Sequence, residues 1–334
     1  MPFIFVVGNS RSGTTMMGRI LNNHALVHTF PELHFFEQLW SGKDKDKILE
    51  IDEAEQLAAR LLNISASGYF AKKEPEKYTG EAKDIIGSIP APTITSLKIF
   101  AAVIQHEAIK HGKQYPCDQT PQNVFYIREI LEAYPNAYFI NMVRDPRDVL
   151  LSQKRKWKRR FLGGSHATWY ETIRAWTNYH PLTISKLWNS AIRAREQVKD
   201  RRVMSVQFES LLKDPDKAIE GICFFLRLSY SPQLKEVPQV GSSSGMDKKE
   251  VKGINSDRSQ SWGKGGLSET EIWFCQKSCK KYMQELGYEP VKISPNPIII
   301  AFYYLIFPVK LGFAFLLNLH RMKNIVETVR KRMG

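Results

Sequence analysis

Residues 3–21 read FIFVVGNSRSGTTMMGRIL, and this stretch decides how the rest of the chain is taken. The apolar run Phe3 to Val7 suits a strand buried on both faces in a parallel sheet. Gly8 and Gly13 permit a tight loop, and Thr14 to Leu21 then read as a helix whose first amides point back at that loop. Between the glycines stand Asn9, Ser10, Arg11 and Ser12, and Thr14 and Thr15 follow, so the turn is lined with hydrogen-bond donors. A turn of this kind binds an anion.

Gly8, Gly13 and Thr15 stand in the register of the phosphate-loop pattern GxxxxGK[ST], but Thr14 occupies the lysine position. In nucleoside-triphosphate enzymes that lysine neutralises the outer phosphates while the next hydroxyl helps hold magnesium, so its absence speaks against a kinase. A sulfuryl group carries less negative charge than a phosphoryl group. One arginine, several hydroxyls and a helix dipole can hold it without a metal.

Downstream, Val27 to Phe30 reads as a second strand with Glu32 just past its end, where open α/β sheets collect their ligands. Residues 45–63 and 97–111 read as helices, and Leu33 to Trp40 as a short helix. Residues 65–95 show no sustained period and are expected to form a long loop or lid. Tyr115 to Thr120 and Ala137 to Val143 read as strands on either side of a helix over 122–133, which continues the alternation of a parallel α/β fold. In NMVRDPRDVLLSQ, residues 141–153, Arg144 follows a strand end and Ser152 lies about two helical turns on, so both can reach one phosphate. Taken alone, an arginine there more often serves as a structural ion-pair partner, here of Asp145 or Asp148.

At 334 residues and 43% hydrophobic content, the chain has the composition of an ordinary globular protein. The four cysteines, 117, 223, 275 and 279, show no metal-ligand spacing, and the last two mark one helix face. A net charge of +14 favours anionic partners. The basic residues concentrate in KRKWKRR, Lys154 to Arg160, and around Arg193 to Arg202, either as solvated faces or as binding surfaces. No recognised nucleic-acid module accompanies them, so nucleic acid is disfavoured. Trp169, Ile173 and Trp176 fall at helical spacing and are expected in the core, with the lining of a sugar-binding cleft as the alternative.

Together these segments resemble the sulfotransferases that use 3′-phosphoadenosine 5′-phosphosulfate (PAPS), in motif pattern the tyrosylprotein and carbohydrate branch and its bacterial relatives. The resemblance runs from about residue 3 to 288 and implies a P-loop-like α/β fold, a central parallel sheet flanked by helices. It implies that Asn9, Ser10, Arg11, Ser12, Gly13, Thr14 and Thr15 hold the 5′-phosphosulfate, that Arg144 and Ser152 hold the 3′-phosphate, and that Glu32 is the general base with Arg11 as the catalytic cation. Residues 206–228 resemble the family's strand, acidic turn and helix, with Phe208 in an adenine-stacking place, and Lys264 lies in SWGKGGLSETE, which resembles the late loop over the nucleotide. No metal is implied. The reaction would move a sulfuryl group to an acceptor hydroxyl, in a carbohydrate or glycolipid, leaving 3′-phosphoadenosine 5′-phosphate (PAP).

Two positions depart from the pattern: Gln119 replaces the lysine expected before the TP dipeptide, and Phe208 replaces a frequent tyrosine. Arg11, Lys98 and Lys264 are the candidates to make up the missing charge, and His34 is a second candidate base whose ordinary role would be packing. A non-catalytic polyanion-binding protein on the same scaffold and a small-molecule kinase are the alternatives.

Residues 1–290 therefore read as the catalytic domain and 291–334 as a helical extension. Ile298 to Leu319 carries a single charge, Lys310, and is long enough to span a bilayer, but Pro308, Lys310 and Gly312 at its middle and the basic tail after it favour a re-entrant or interfacial arrangement. Met322, Ile325, Val326, Val329 and Met333 share one face of a basic amphipathic helix suited to an anionic membrane surface. With no leader before the first strand, the expected location is cytoplasmic and membrane-associated.

Overall fold

The computed structural model describes residues 2–69, 74–158, 168–239, 248–255, 259–319 and 325–333. Five strands, β1 (Ile4–Gly8), β2 (Val27–Phe30), β3 (Tyr115–Asp118), β4 (Tyr138–Val143) and β5 (Val203–Gln207), form one sheet in the order β2-β3-β1-β4-β5. Each pair is parallel, with Phe5 opposite Asp118 on one side and Phe139 on the other. After β1 the chain moves to one side of the sheet, and β4 and β5 fill the other. The crevice between the carboxyl ends of β1 and β4 is thus the topological switch point, the place where such sheets bind ligands.

The helices are α1 (Thr14–Asn22), α2 (Ile51–Ser67), α3 (Thr79–Gly87), α4 (Ser96–Lys110), α5 (Ile127–Ala133), α6 (Pro146–Lys154) and α7 (Trp169–Thr177). They continue as α8 (Pro181–Glu196), α9 (Phe208–Lys213), α10 (Pro215–Leu226), α11 (Glu269–Glu285), α12 (Pro297–Asn318) and α13 (Ile325–Met333). The period-two alternation of β1 sorts them into layers. Phe3, Phe5 and Val7 join a core with residues of α2 to α5, and Ile4 and Val6 join Met17, Ile20, Leu211 and Ile222 from α1, α9 and α10 on the other face. Phe5 stacks on Phe139 at 5.1 Å, and each such fully buried ring contributes about 1.5–3 kcal/mol. A third cluster, Val149, Trp188, Cys275 and Cys279 among others, joins α6, α8 and α11. The CxxxC pair does share one buried helix face, and all four cysteines are free.

Several expectations are corrected. Residues 65–95 are not one long loop: they contain the end of α2, a short turn at Pro75–Tyr78 and α3, which buries Ala82, Ile85 and Ile86. The helix expected over 45–63 begins only at Ile51 and runs on to Ser67. Leu33 to Trp40 is not a regular helix, because His34 takes a left-handed φ of 51° and Phe35–Leu39 form a single wide π turn. The helix over 122–133 is a 3₁₀ segment, Pro121–Tyr126, followed by α5. Trp169, Ile173 and Trp176 are exposed rather than in the core.

The basic stretch near residue 200 serves the fold: Arg195 donates to the Val198 and Val203 carbonyls at 2.9 and 2.8 Å, and Arg202 chelates Asp200. In the other run, Lys154 pairs with Glu271 at 2.7 Å, while Arg159 and Arg160 lie outside the described residues. The C-terminal extension is helical as expected, although Arg321, Met322 and Lys323 of its tail also lie outside the described residues.

Candidate active site

β1 ends on Gly8, whose φ of 140° and contact with the Met142 carbonyl leave no room for a Cβ. At the far end of the turn, Gly13 has φ 96°, and a Cβ there would collide with the Phe208 ring. Arg11 itself adopts φ 76°, an uncommon conformation for a residue with a side chain. The turn is closed by Ser12 N donating to the Asn9 carbonyl at 3.2 Å and by Asn9 Nδ2 donating to the Ser10 carbonyl at 2.9 Å. Gly13 is the N-cap of α1, so no side chain caps the helix, and no acidic residue lies in its first turn. The Ser12 hydroxyl is buried without a hydrogen-bond partner. Uncapped amides and an orphan donor are the features of a helix N-terminus built for an anion.

The two predicted anion sites meet here. Arg11 Nε donates to Ser152 Oγ on α6 at 2.9 Å, and Arg144 Nη1 donates to the Arg11 carbonyl at 3.3 Å. Arg144 also lies 3.5 Å from Asp148 Oδ2 and 4.5 Å over the Phe208 ring, while Trp188 Nε1 donates to its carbonyl at 2.9 Å. The expected ion pair with Asp148 therefore exists, yet it aims the guanidinium at the loop. Burial raises the Asp148 carboxyl above its ordinary range against the pull of Arg144.

Phe208 is 4% exposed, between Gly13 and the Arg144 guanidinium. It supports the loop instead of offering a free face to adenine. The late loop rests on α6: Trp262 N donates to Asp148 Oδ1 at 2.9 Å, and Arg147, locked to Asp145, lies 4.0 Å over the Trp262 ring. Lys264 is exposed on that loop.

Glu32 Oε2 lies 3.2 Å from His34 Nε2, and the Glu32 side chain is 41% exposed against 7% for the imidazole. His34 Nδ1 faces Glu37 Oε2 at 3.4 Å, so this histidine is neither bland packing nor a free base but a bridge between two carboxylates. Its backbone amide donates to Thr120 Oγ1 at 3.2 Å, and that hydroxyl donates to Asp118 Oδ1 at 2.7 Å. Asn123 Nδ2 donates to the other Asp118 oxygen at 2.8 Å, and burial pushes the Asp118 carboxyl up to about 6. The turn carrying Glu32 is thus pinned to the end of β3. Gln122 Nε2 extends the same link to the loop, donating to Ser10 Oγ at 3.3 Å.

The missing cation is not at Gln119, whose side chain lies against Gly18 of α1. Lys98 is exposed on the first turn of α4. A further cation stands at Lys156, about one helical turn beyond Ser152. Burial and the like charges of Arg11 and Arg174 pull its ammonium down to about 8, against the opposing pull of Glu32 and Glu171. It therefore stands within electrostatic reach of both the anion loop and the candidate base. Its four-residue spacing from Ser152 was the available signal, hidden inside a uniformly basic run.

Among the described residues, one carboxylate and histidine group is tight enough for a metal: Glu81, His106 and Glu107, on α3 and α4. Lys110 already bridges both of its glutamates at 2.6 and 3.2 Å.

Comparison with known proteins gives one family. The sulfotransferase family model matches residues 2–232. The chain is 23% identical over 314 residues to protein-tyrosine sulfotransferase A of Caenorhabditis elegans, which covers 88% of this chain and 69% of that relative. It is 22% identical over 313 residues to protein-tyrosine sulfotransferase 1 of Danio rerio, covering 89% of this chain and 75% of the relative. Among solved structures, the sulfotransferase domain from the curacin biosynthetic pathway aligns with a TM-score of 0.52 at 17% identity, over 87% of this chain and 99% of that one, a likeness of fold.

Proposed function

Because this chain belongs to the sulfotransferase family, we propose that it transfers a sulfuryl group from PAPS to an acceptor hydroxyl and releases PAP. The observation that carries this reading is the junction of Arg11, Ser152 and Arg144 at the uncapped start of α1. The residues suit the donor: the free α1 amides, the orphan Ser12 hydroxyl and three cations face an anion with no acidic side chain in the first helical turn. A lysine at Thr14 is not needed for a group of lower charge, which sets the kinase reading aside. Glu32, kept partly exposed at the strand ends, supports the catalytic reading over the non-catalytic one.

PAPS supplies the sulfuryl group, whose bond to the bridging phosphate oxygen breaks as the acceptor oxygen attacks in line. Ser10 to Thr15 fix its oxygens through amides and hydroxyls, and Arg11 balances charge on the bridge. Arg144 and Ser152 hold the 3′-phosphate, and Lys156 adds its charge between donor and base. Glu32 takes the acceptor proton as attack proceeds, with His34 fixing the carboxylate orientation through its 3.2 Å contact.

For the acceptor, the names of the relatives favour a peptide tyrosine hydroxyl. A carbohydrate or glycolipid hydroxyl is the second reading, favoured by the exposed aromatic face of α7. The test is purified protein with labelled PAPS and three acceptors, an acidic tyrosine peptide, an oligosaccharide and a glycolipid, without added metal. Label transferred to one of them and lost in Glu32→Gln supports the reading; no transfer to any, together with no binding of PAP, overturns it.

A further inference from the structure

Lys310 makes α12 a poor membrane span in sequence, and its surroundings explain why it is there. Its ammonium donates to the Trp176 and Tyr179 carbonyls at 3.4 and 3.0 Å, around the C-terminal end of α7, and lies 4.3 Å over the Trp176 ring. The same face of α12 is held along its length. Tyr303 packs on Phe274 at 5.6 Å, Phe307 on His180 at 5.0 Å, and Asn318 bonds to Asn178 and Arg174 at 2.8 and 2.9 Å. The lysine of the helix middle and Asn318 near its end are therefore turned toward protein.

The opposite face is apolar and open. Ile298, Phe302, Leu305, Val309, Phe313 and Leu316 recur at three- and four-residue spacing and are 56–78% exposed. Trp169, Ile173 and Trp176 of α7 extend this surface at 56–60% exposure, next to α12 through the bond from Tyr170 Oη to the Leu317 carbonyl at 2.6 Å. A surface of this extent is far larger than the scattered apolar residues of a soluble monomer.

We propose that the outer faces of α12 and α7 form a monotopic membrane-binding surface, with α12 lying in the plane of an anionic bilayer leaflet. The placement of α13 is incompatible with a span. There Glu327 accepts from Ser41 Oγ at 2.9 Å, Lys331 pairs with Glu129, and Arg332 pairs with Glu37, so the chain returns to the catalytic domain on the same side. Charge selects lipid over a second copy of the chain. Lys186, beside Phe307, and Lys277, on Trp273, are exposed next to this surface, and neither pairs with a carboxylate among the described residues. Two copies meeting face to face would bring these lysines together, whereas anionic headgroups neutralise them. Trp169 and Trp176 are the residue type that settles at such an interface. This inference rests on the surface alone and does not depend on the donor.

The experiment is flotation of the full chain with phosphatidylcholine vesicles, with and without phosphatidylglycerol. The wild type floats, more fully on the anionic vesicles. Leu305→Glu with Val309→Glu abolishes flotation while nucleotide binding, measured on the same preparation, is retained. Lys186→Glu with Lys277→Glu removes the preference for anionic lipid. In the vesicle-bound protein, single cysteines at Ser294→Cys and Arg330→Cys both react with an impermeant maleimide added outside, the native cysteines being buried. A wild type that never floats, a detergent-free dimer dispersed by Leu305→Glu, or protection of either introduced cysteine overturns the proposal.

Discussion

Arg11 Nε donates to Ser152 Oγ at 2.9 Å across the crevice between β1 and α6, so the loop that would hold sulfate and the helix that would hold the 3′-phosphate move as one piece. Ser152→Ala should leave Arg11 without that partner. A hydrogen bond to a charged group is worth about 1.5–3 kcal/mol, so PAP affinity should fall about tenfold or more by calorimetry, with thermal stability little changed. Unchanged affinity would show the bond to be incidental.

Glu32→Gln keeps the shape of the carboxylate and removes its ability to take a proton. The expected result is a loss of about 10²–10⁴-fold in kcat with PAP affinity unaltered, since Glu32 faces His34 and not the loop. His34→Ala should cost less, and mainly in kcat, because it frees the carboxylate without removing it. Equal losses in donor binding would move Glu32 out of the base role.

Lys156 is charged below about pH 8 and neutral above, since burial and the neighbouring Arg11 lower its titration. Wild-type affinity for PAP should accordingly be highest below pH 8 and decline as pH rises through that range. A bound anion shifts the midpoint upward. Lys156→Met should bind more weakly at pH 7 and lose this alkaline decline, which titrations across pH would reveal.

Gly13→Ala forces a side chain into the Phe208 ring at a φ of 96°. Strain and overpacking together predict a destabilisation of about 1–3 kcal/mol in urea unfolding, plus loss of PAP binding as the loop shifts. With Phe208→Ala the two losses should be less than additive, because the ring that the new methyl meets is gone.

The sheet was legible because Phe3 to Val7 and Ala137 to Val143 are short apolar runs bounded by turn residues, a pattern few other elements share. The placement of Arg144 and Ser152 beside the loop was legible for a similar reason, since a strand end and a helix fix their spacing. α3 was not: TGEAKDIIG, residues 79–87, is too short and too glycine-flanked to show a helical period, and only packing of Ile85 and Ile86 against α2 and α4 holds it. The stripe of Trp169, Ile173 and Trp176 looks like core in sequence because periodicity reports that a face is apolar, not what covers it. Phe208 was misplaced because a ring in sequence carries no record of the arginine and glycine between which it lies. Lys156 stayed hidden because charge in a basic run looks uniform until the fold brings Arg11 and Glu32 to one of its members.

Whether the crevice between β1 and β4 is a PAPS site can be read from titrations of PAP into wild type and Arg144→Ala in chelator-containing buffer. Saturable one-to-one binding without metal is expected, weakened about 10- to 100-fold in the variant. No binding by the wild type, or equal binding by both proteins, would contradict it.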